Sequence, residues 1–128
     1  MNANNRLPIW RDSSRLLLEV EQAVRQFPRY HKYTIGTDMR RQTMYVSRML
    51  VRALNSSGNE RLRQVRNLQV AVDDLKVMIQ LAKEIKALQN FRQFQVLSEL
   101  AVAIGRQGGS WYRQLSGRSS GPESGVNK

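Results

Sequence analysis

Seven positions late in the chain, Phe94, Leu97, Ala101, Ile104, Gly108, Trp111 and Leu115, recur at alternating intervals of three and four residues. Only an α-helix brings such positions to one side, because it turns about 100° per residue. A mean interval of 3.5 residues further predicts near-parallel helices crossing with a left-handed twist. Upstream, Leu68, Val72, Leu75, Ile79 and Ala82 repeat at 4-3-4-3 within a segment from about residue 60 to 88. Val70, Val77, Met78, Leu81 and Ile85 widen that apolar face, which predicts a helix buried on more than one side.

Two further segments carry the same period. Residues 12–27 hold Leu16, Val20, Ala23, Val24 and Phe27, with Asp12 or Ser13 as cap and Pro28 as terminator. Residues 34–54 begin at another capping residue, Thr34, and hold Ile35, Met39, Thr43, Val46, Leu50 and Ala53. The turn cluster "NSSGN" (residues 55–59) separates this segment from the next, and the fourth runs from about 91 to 115. Strand alternation appears nowhere at length. The expected fold is all-α, an antiparallel up-down four-helix bundle over residues 1–115. From Ser116 onward "SGRSSGPESGVNK" has little to bury, so residues 116–128 are expected to form a disordered tail.

Charge narrows the function. Lys and Arg number 21 against 10 acids, a formal net charge of +11. Between Arg29 and Arg66 there are nine bases and two acids, so this third of the chain supplies 9 − 2 = +7 of that excess. Concentrated positive charge attracts polyanions and raises their encounter rate. A solvated face is the bland alternative; this excess favours a nucleic acid or an acidic protein. There is no cysteine, hence no disulfide or thiol chemistry, which fits a reducing cytoplasm. The opening "MNANNRLPIWRD" lacks a secretory layout, and no apolar run is long enough to span a membrane.

Catalysis finds few candidates. His31 is the only histidine and has no acid beside it in sequence, which reads as a contact residue rather than a base. Bundle metal sites use Glu-x-x-His pairs, and none is present. No enzyme, metal, cofactor or small-molecule substrate is expected. Asp73 and Asp74 lie about 100° apart on their helix. Asp74 shares a side with Met78, Leu81 and Ile85 and is expected to pair with an arginine across the bundle.

The basic segment offers more. Steps of four, seven and eleven from Arg41 reach Tyr45, Arg48 and Arg52, all within about 60° of arc. Three guanidinium groups and a phenol thus share a face away from the Met39–Val46–Leu50 stripe, and arginine's planar fork of donors suits phosphate. Arg29, His31, Lys32, Arg40, Arg61, Arg63 and Arg66 extend the candidate surface. The alternative for each arginine is an internal ion pair, such as Arg48 with Asp73, Asp74 or Glu84. In "GRQGGSWYRQL" (residues 105–115) two consecutive glycines oppose a helix, yet the stripe continues through them. Continuation through close packing is the favoured expectation, with a helix of this or another copy approaching Gly108 while Trp111 covers the gap. The alternative is a frayed C-terminus capped at Gly108 and Gly109.

"LPIWRDSSRLLLEV", "FPRYHKYTIGTDMRR", "VAVDDLKVMIQLAKEIKAL" and "GRQGGSWYRQL", in that order, resemble the Avd family, the accessory proteins of diversity-generating retroelements. That family is related to four-helix-bundle proteins encoded in intervening sequences of bacterial large-subunit ribosomal RNA genes. The resemblance covers about Leu7 to Leu115. It implies a homopentamer, a reverse transcriptase partner, and template RNA as ligand with a DNA/RNA hybrid as a further candidate. It also implies support for mutagenic copying without catalytic residues of its own. Phe27, Pro28, Tyr33, Gly36, Gly108, Gly109 and Trp111 match the family's structural positions, whereas Arg29, Lys32, Arg40 and Arg41 match only its basic character. The alternatives are a bundle of the ribosomal-RNA-associated type without a polymerase partner, a general nucleic-acid-binding protein, and a scaffold for an acidic protein.

Overall fold

In a computed structural model, residues 7–119 are described. They form four long helices and one single-turn helix: α1 (Pro8–Arg25), α2 (Arg29–Lys32), α3 (Ile35–Leu54), α4 (Gly58–Glu84) and α5 (Phe91–Ser119). No strand occurs among the described residues. Helix α1 packs on α3 and α5, and α4 packs on the same two, so the long helices close a four-membered ring. Long helices that are consecutive and joined by a few residues run in alternate directions.

Helix α1 starts a turn before the expected caps. Leu7 is extended (φ −73°, ψ 132°) and Pro8 takes the first helical position, where its missing N–H would have had no partner anyway. The gain is Ile9, which joins the core. Asp12 therefore lies inside the helix, where its carboxylate accepts from Gln107 Nε2 at 2.7 Å and ties α1 to α5. Ser13 is buried against Ser47 of α3, their hydroxyls 3.3 Å apart. The chain then turns at Pro28 through α2. Thr34 does stand at the start of α3, but its hydroxyl donates backward to the carbonyls of Tyr30 and His31, each at 3.2 Å. It closes α2 rather than capping α3.

Helix α4 stops at Glu84, short of the expected 88. Lys86 adopts a left-handed conformation (φ 63°). The Ala87 N–H returns to the Ala82 carbonyl at 2.9 Å and the Lys86 N–H to the Lys83 carbonyl at 3.0 Å. This pair of bonds is a Schellman ending with lysine where glycine is usual. Ala82 and Ala87, both fully buried, face inward across the turn. Helix α5 opens with the Gln93 N–H donating to Asn90 Oδ1 at 2.9 Å and passes through Gly108 and Gly109 unbroken. Residues 116–119 belong to α5 instead of a disordered tail; residues 120–128 lie outside the described residues.

The core is the set of stripes. Leu16, Val20, Met39, Val46, Leu50, Leu68, Val72, Leu75, Ile79, Leu97 and Ile104 are essentially inaccessible. Burial of each such side chain contributes about 1.5–3 kcal/mol. A smaller cluster of Ala53, Val65 and Leu115, covered by Leu62, Trp111 and Tyr112, closes the end where α3 meets α4. Two glycines permit the closest approaches. A Cβ on Gly36 would stand 2.8 Å from Val24 Cγ1, so α3 meets α1 only because that atom is absent. On Gly108 it would overlap the side-chain oxygen of Gln69; the neighbour at Gly108 is thus α4 of the same chain. Gln69 Nε2 donates to the Gly105 carbonyl at 3.0 Å and fixes that contact. Gly109 has ordinary room, and Trp111 packs over both core clusters.

Helix α4 is buried on one side, not on several. Val70, Val77, Leu81 and Ile85 are 44–57% exposed, and Asp74 is exposed among them. Among the described residues Asp74 has no ion-pair partner, and its neighbour Asp73 pairs with Lys76 at 3.4 Å. The expected Asp74–arginine pair across the bundle is therefore absent. The reason is geometric: Val70, Asp74, Val77 and Leu81 fall within about 60° of arc, and this arc points away from the ring.

Candidate nucleic-acid interface

Helix α3 turns Met39, Thr43, Val46, Met49, Leu50 and Ala53 inward. The Thr43 hydroxyl is satisfied by the Met39 carbonyl at 2.7 Å, and Gln42 Nε2 holds the Ala71 carbonyl of α4 at 2.9 Å. This register leaves Arg41, Tyr45, Arg48 and Arg52 exposed on one outer side. The Arg48 guanidinium lies 5.6 Å from the centre of the Tyr45 ring. None of Arg41, Arg48 and Arg52 has an acid within ion-pair distance among the described residues; the expected alternative of Arg48 neutralising an acid of α4 is not realised. Ser47, Arg48, Val51 and Arg52 line a shallow depression of about 280 Å³ beside them. Three exposed cations and a phenol on one helix offer phosphate-sized anions a row of donors.

The other basic candidates divide. Arg40 turns to α1, where its Nε donates to Glu21 Oε1 at 2.9 Å. Arg29 is exposed at the α1–α3 end of the bundle, while His31 and Lys32 are half-buried beside it. The His31 ring meets Tyr30 edge-on at 5.2 Å. Tyr33, expected among the structural positions, is exposed, unlike Phe27, Gly36 and Gly108, which pack inside.

The arginines of α4 are engaged with their own chain. Arg61 donates from Nε to the Ala53 carbonyl and from Nη2 to the Leu54 carbonyl, both at 3.0 Å, so it satisfies two orphan acceptors at the end of α3. Its guanidinium also lies 5.9 Å from the Trp111 ring centre. Arg63 pairs with Glu60 one turn back, and Gln64 Nε2 reaches the same carboxylate at 2.6 Å. The Gln64 bond first, and Arg63 after it, hold the Glu60 carboxyl below the usual range. Arg66 Nη2 donates to the Tyr112 hydroxyl at 2.6 Å, which lowers the phenol's pKa and raises that of the guanidinium.

Cations that the reading of residues 29–66 missed stand at the α4–α5 connection. Lys83 lies 4.7 Å from the Phe94 ring centre and 5.9 Å from that of Phe91, with Lys86 and Arg92 exposed nearby. The signal was the basic-aromatic interleaving of "KEIKALQNFR", which a search limited to the most basic third passes over. Among the described residues no group of three metal-ligating side chains comes together. No helix among them is long and apolar enough to cross a membrane. A model of the family described as bAvd-like matches residues 9–115, a span that includes every basic candidate above. No curated protein matches the chain.

Proposed function

The chain belongs to the bAvd-like family, a family of non-catalytic accessory proteins of diversity-generating retroelements, and from that premise we propose that it binds the element's reverse transcriptase and template RNA. The observation that carries the RNA part is the outer side of α3, where Arg41, Arg48 and Arg52 stand exposed without an acidic partner among the described residues. Guanidinium groups with no internal anion are free to displace the counterions of a phosphate backbone, which is the main source of affinity for nucleic acid. The role is to hold template, or a DNA/RNA hybrid, near the polymerase in the cytoplasm while the polymerase does the chemistry. Self-association into a pentamer would repeat the arginine row in each copy. The outward stripe of Val70, Val77, Leu81 and Ile85 supports such association, since apolar area of this kind is favourably removed from water.

Co-purification with the partner reverse transcriptase tests the reading, comparing the chain with its Arg41→Ala/Arg48→Ala/Arg52→Ala variant, with and without ribonuclease. The expected result is capture of enzyme and RNA by the parent chain, and loss of RNA by a variant of unchanged helix content. A folded variant that retains both partners as the parent does would overturn the assignment of this face.

A further inference from the structure

We infer that the bundle end formed by α2 and the α4–α5 connection is a stacking platform for unpaired RNA bases, distinct from the arginine row of α3. The inference rests on the reading that the chain binds RNA and names the form of RNA taken at this end. Three aromatic rings stand in solvent here: Tyr30 is 82% exposed, Tyr33 71% and Phe91 63%. Burying large rings is favourable, yet none of the three is drawn into the core. The two connections lie at one end of the ring. Gln93 Nε2 donates to Gln26 Oε1 across them, and Gln26, Arg92 and Gln93 line one groove.

Charge completes the surface. Residues 25–33 hold Arg25, Arg29 and Lys32 with no acid, and residues 83–92 hold Lys83, Lys86 and Arg92 with Glu84, so these two segments carry 3 + 3 − 1 = +5. Between residues 25 and 34 there is no aliphatic side chain beyond the proline ring, only cations, aromatics and polar groups. A protein-docking patch would share the aromatic rings but be depleted of charge at its centre. Planar rings flanked by cations instead match a chain that alternates planar bases with phosphates. At the α4–α5 connection, Phe91, Phe94, Lys83 and Lys86, with Leu88, Gln89 and Asn90, border a depression of about 410 Å³, room for a nucleotide. The left-handed turn at Lys86 sets the rim of that depression. Duplex RNA hides its base faces in its own stack, so only an unpaired base can lie on these rings.

The test is fluorescence anisotropy with a labelled single-stranded RNA and with the same sequence closed into a hairpin duplex, plus a single strand carrying 2-aminopurine to report stacking. The Tyr30→Ala/Tyr33→Ala/Phe91→Ala variant is compared with Tyr30→Phe/Tyr33→Phe; all three positions are exposed, and circular dichroism melts check the fold. Single-strand affinity should fall about tenfold per ring removed. Duplex affinity should hold, the phenylalanine pair should bind like the parent, and the stacking signal should vanish only in the alanine variant. Equal losses for both RNAs, an alanine variant that binds the single strand like the parent, or loss of reverse transcriptase capture alone would each overturn the platform. If the parent binds RNA with a steep salt dependence but the rings are silent, only this inference falls. If the parent binds neither RNA, the proposed function falls with it.

Discussion

Arg41, Arg48 and Arg52 on α3 and Arg61, Arg63 and Arg66 on α4 have the same chemistry and near-neighbouring places in the chain, yet opposite surroundings. The first three point to solvent and have no anionic partner among the described residues. Each of the second three is held by its own fold: by the last carbonyls of α3, by Glu60, and by Tyr112. The difference lies in what each face meets. The start of α4 passes the open end of α3 and the flank of α5, where acceptors and rings are on offer. The outer side of α3 meets no helix among the described residues, and Asp38, one turn before Arg41, makes no ion pair with it. Charge density alone therefore does not identify a binding face; charge without an internal use does.

This contrast can be broken from either side. The largest effect is expected from Arg41→Ala/Arg48→Ala/Arg52→Ala, which should weaken RNA binding on the order of 100-fold if each contact contributes about 1 kcal/mol. Its melting temperature should not change. Arg61→Ala should do the reverse: a loss of about 1–2 kcal/mol in denaturant unfolding, from two carbonyls left without their donor and a ring contact removed, with RNA affinity unchanged. Asp74→Lys should leave helix content as it is, because the carboxylate is exposed and has no ion-pair partner among the described residues. Light scattering should show a smaller assembly, since the charge enters the outward apolar stripe. Arg66→Ala should act mainly on titration. The Arg66 hydrogen bond favours the Tyr112 phenolate, so this tyrosine ionises below its ordinary range, and ultraviolet absorbance should show the step moving up in the variant. The linked stabilisation is present above the unfolded tyrosine pKa and is lost as pH falls through the lowered folded one. Arg63→Ala should change neither stability nor binding measurably, as expected for an exposed ion pair on one helix.

The helices were legible because their stripes are long and regular, and Leu97, Ala101 and Ile104 pack as their spacing requires. Their ends were less so. Asp12 is a good cap by composition, but Pro8 and Ile9 allow an earlier start that buries more. The stop of α4 uses a lysine in the left-handed region, which no residue type announces. Periodicity places Val70, Val77 and Leu81 together without saying which way they face, and Asp74 was misplaced with them. The shared face of Arg41, Tyr45, Arg48 and Arg52 followed from the register of α3 alone. The internal partners of Arg61 and Arg66 did not, because the Arg66–Tyr112 bond joins residues far apart in sequence, and Arg61 meets Trp111 only once α4 and α5 are packed.

The most direct test of the α3 assignment is the salt dependence of RNA affinity. Contacts with five or six phosphates give a slope of about −4 to −5 for log affinity against log salt on duplex, and somewhat less on a single strand. The triple α3 variant should lose about 2–3 of that slope, while a variant with Arg61, Arg63 and Arg66 changed to alanine should keep it. Equal slopes for the parent and the α3 variant, or a larger loss from the α4 set, would contradict the account.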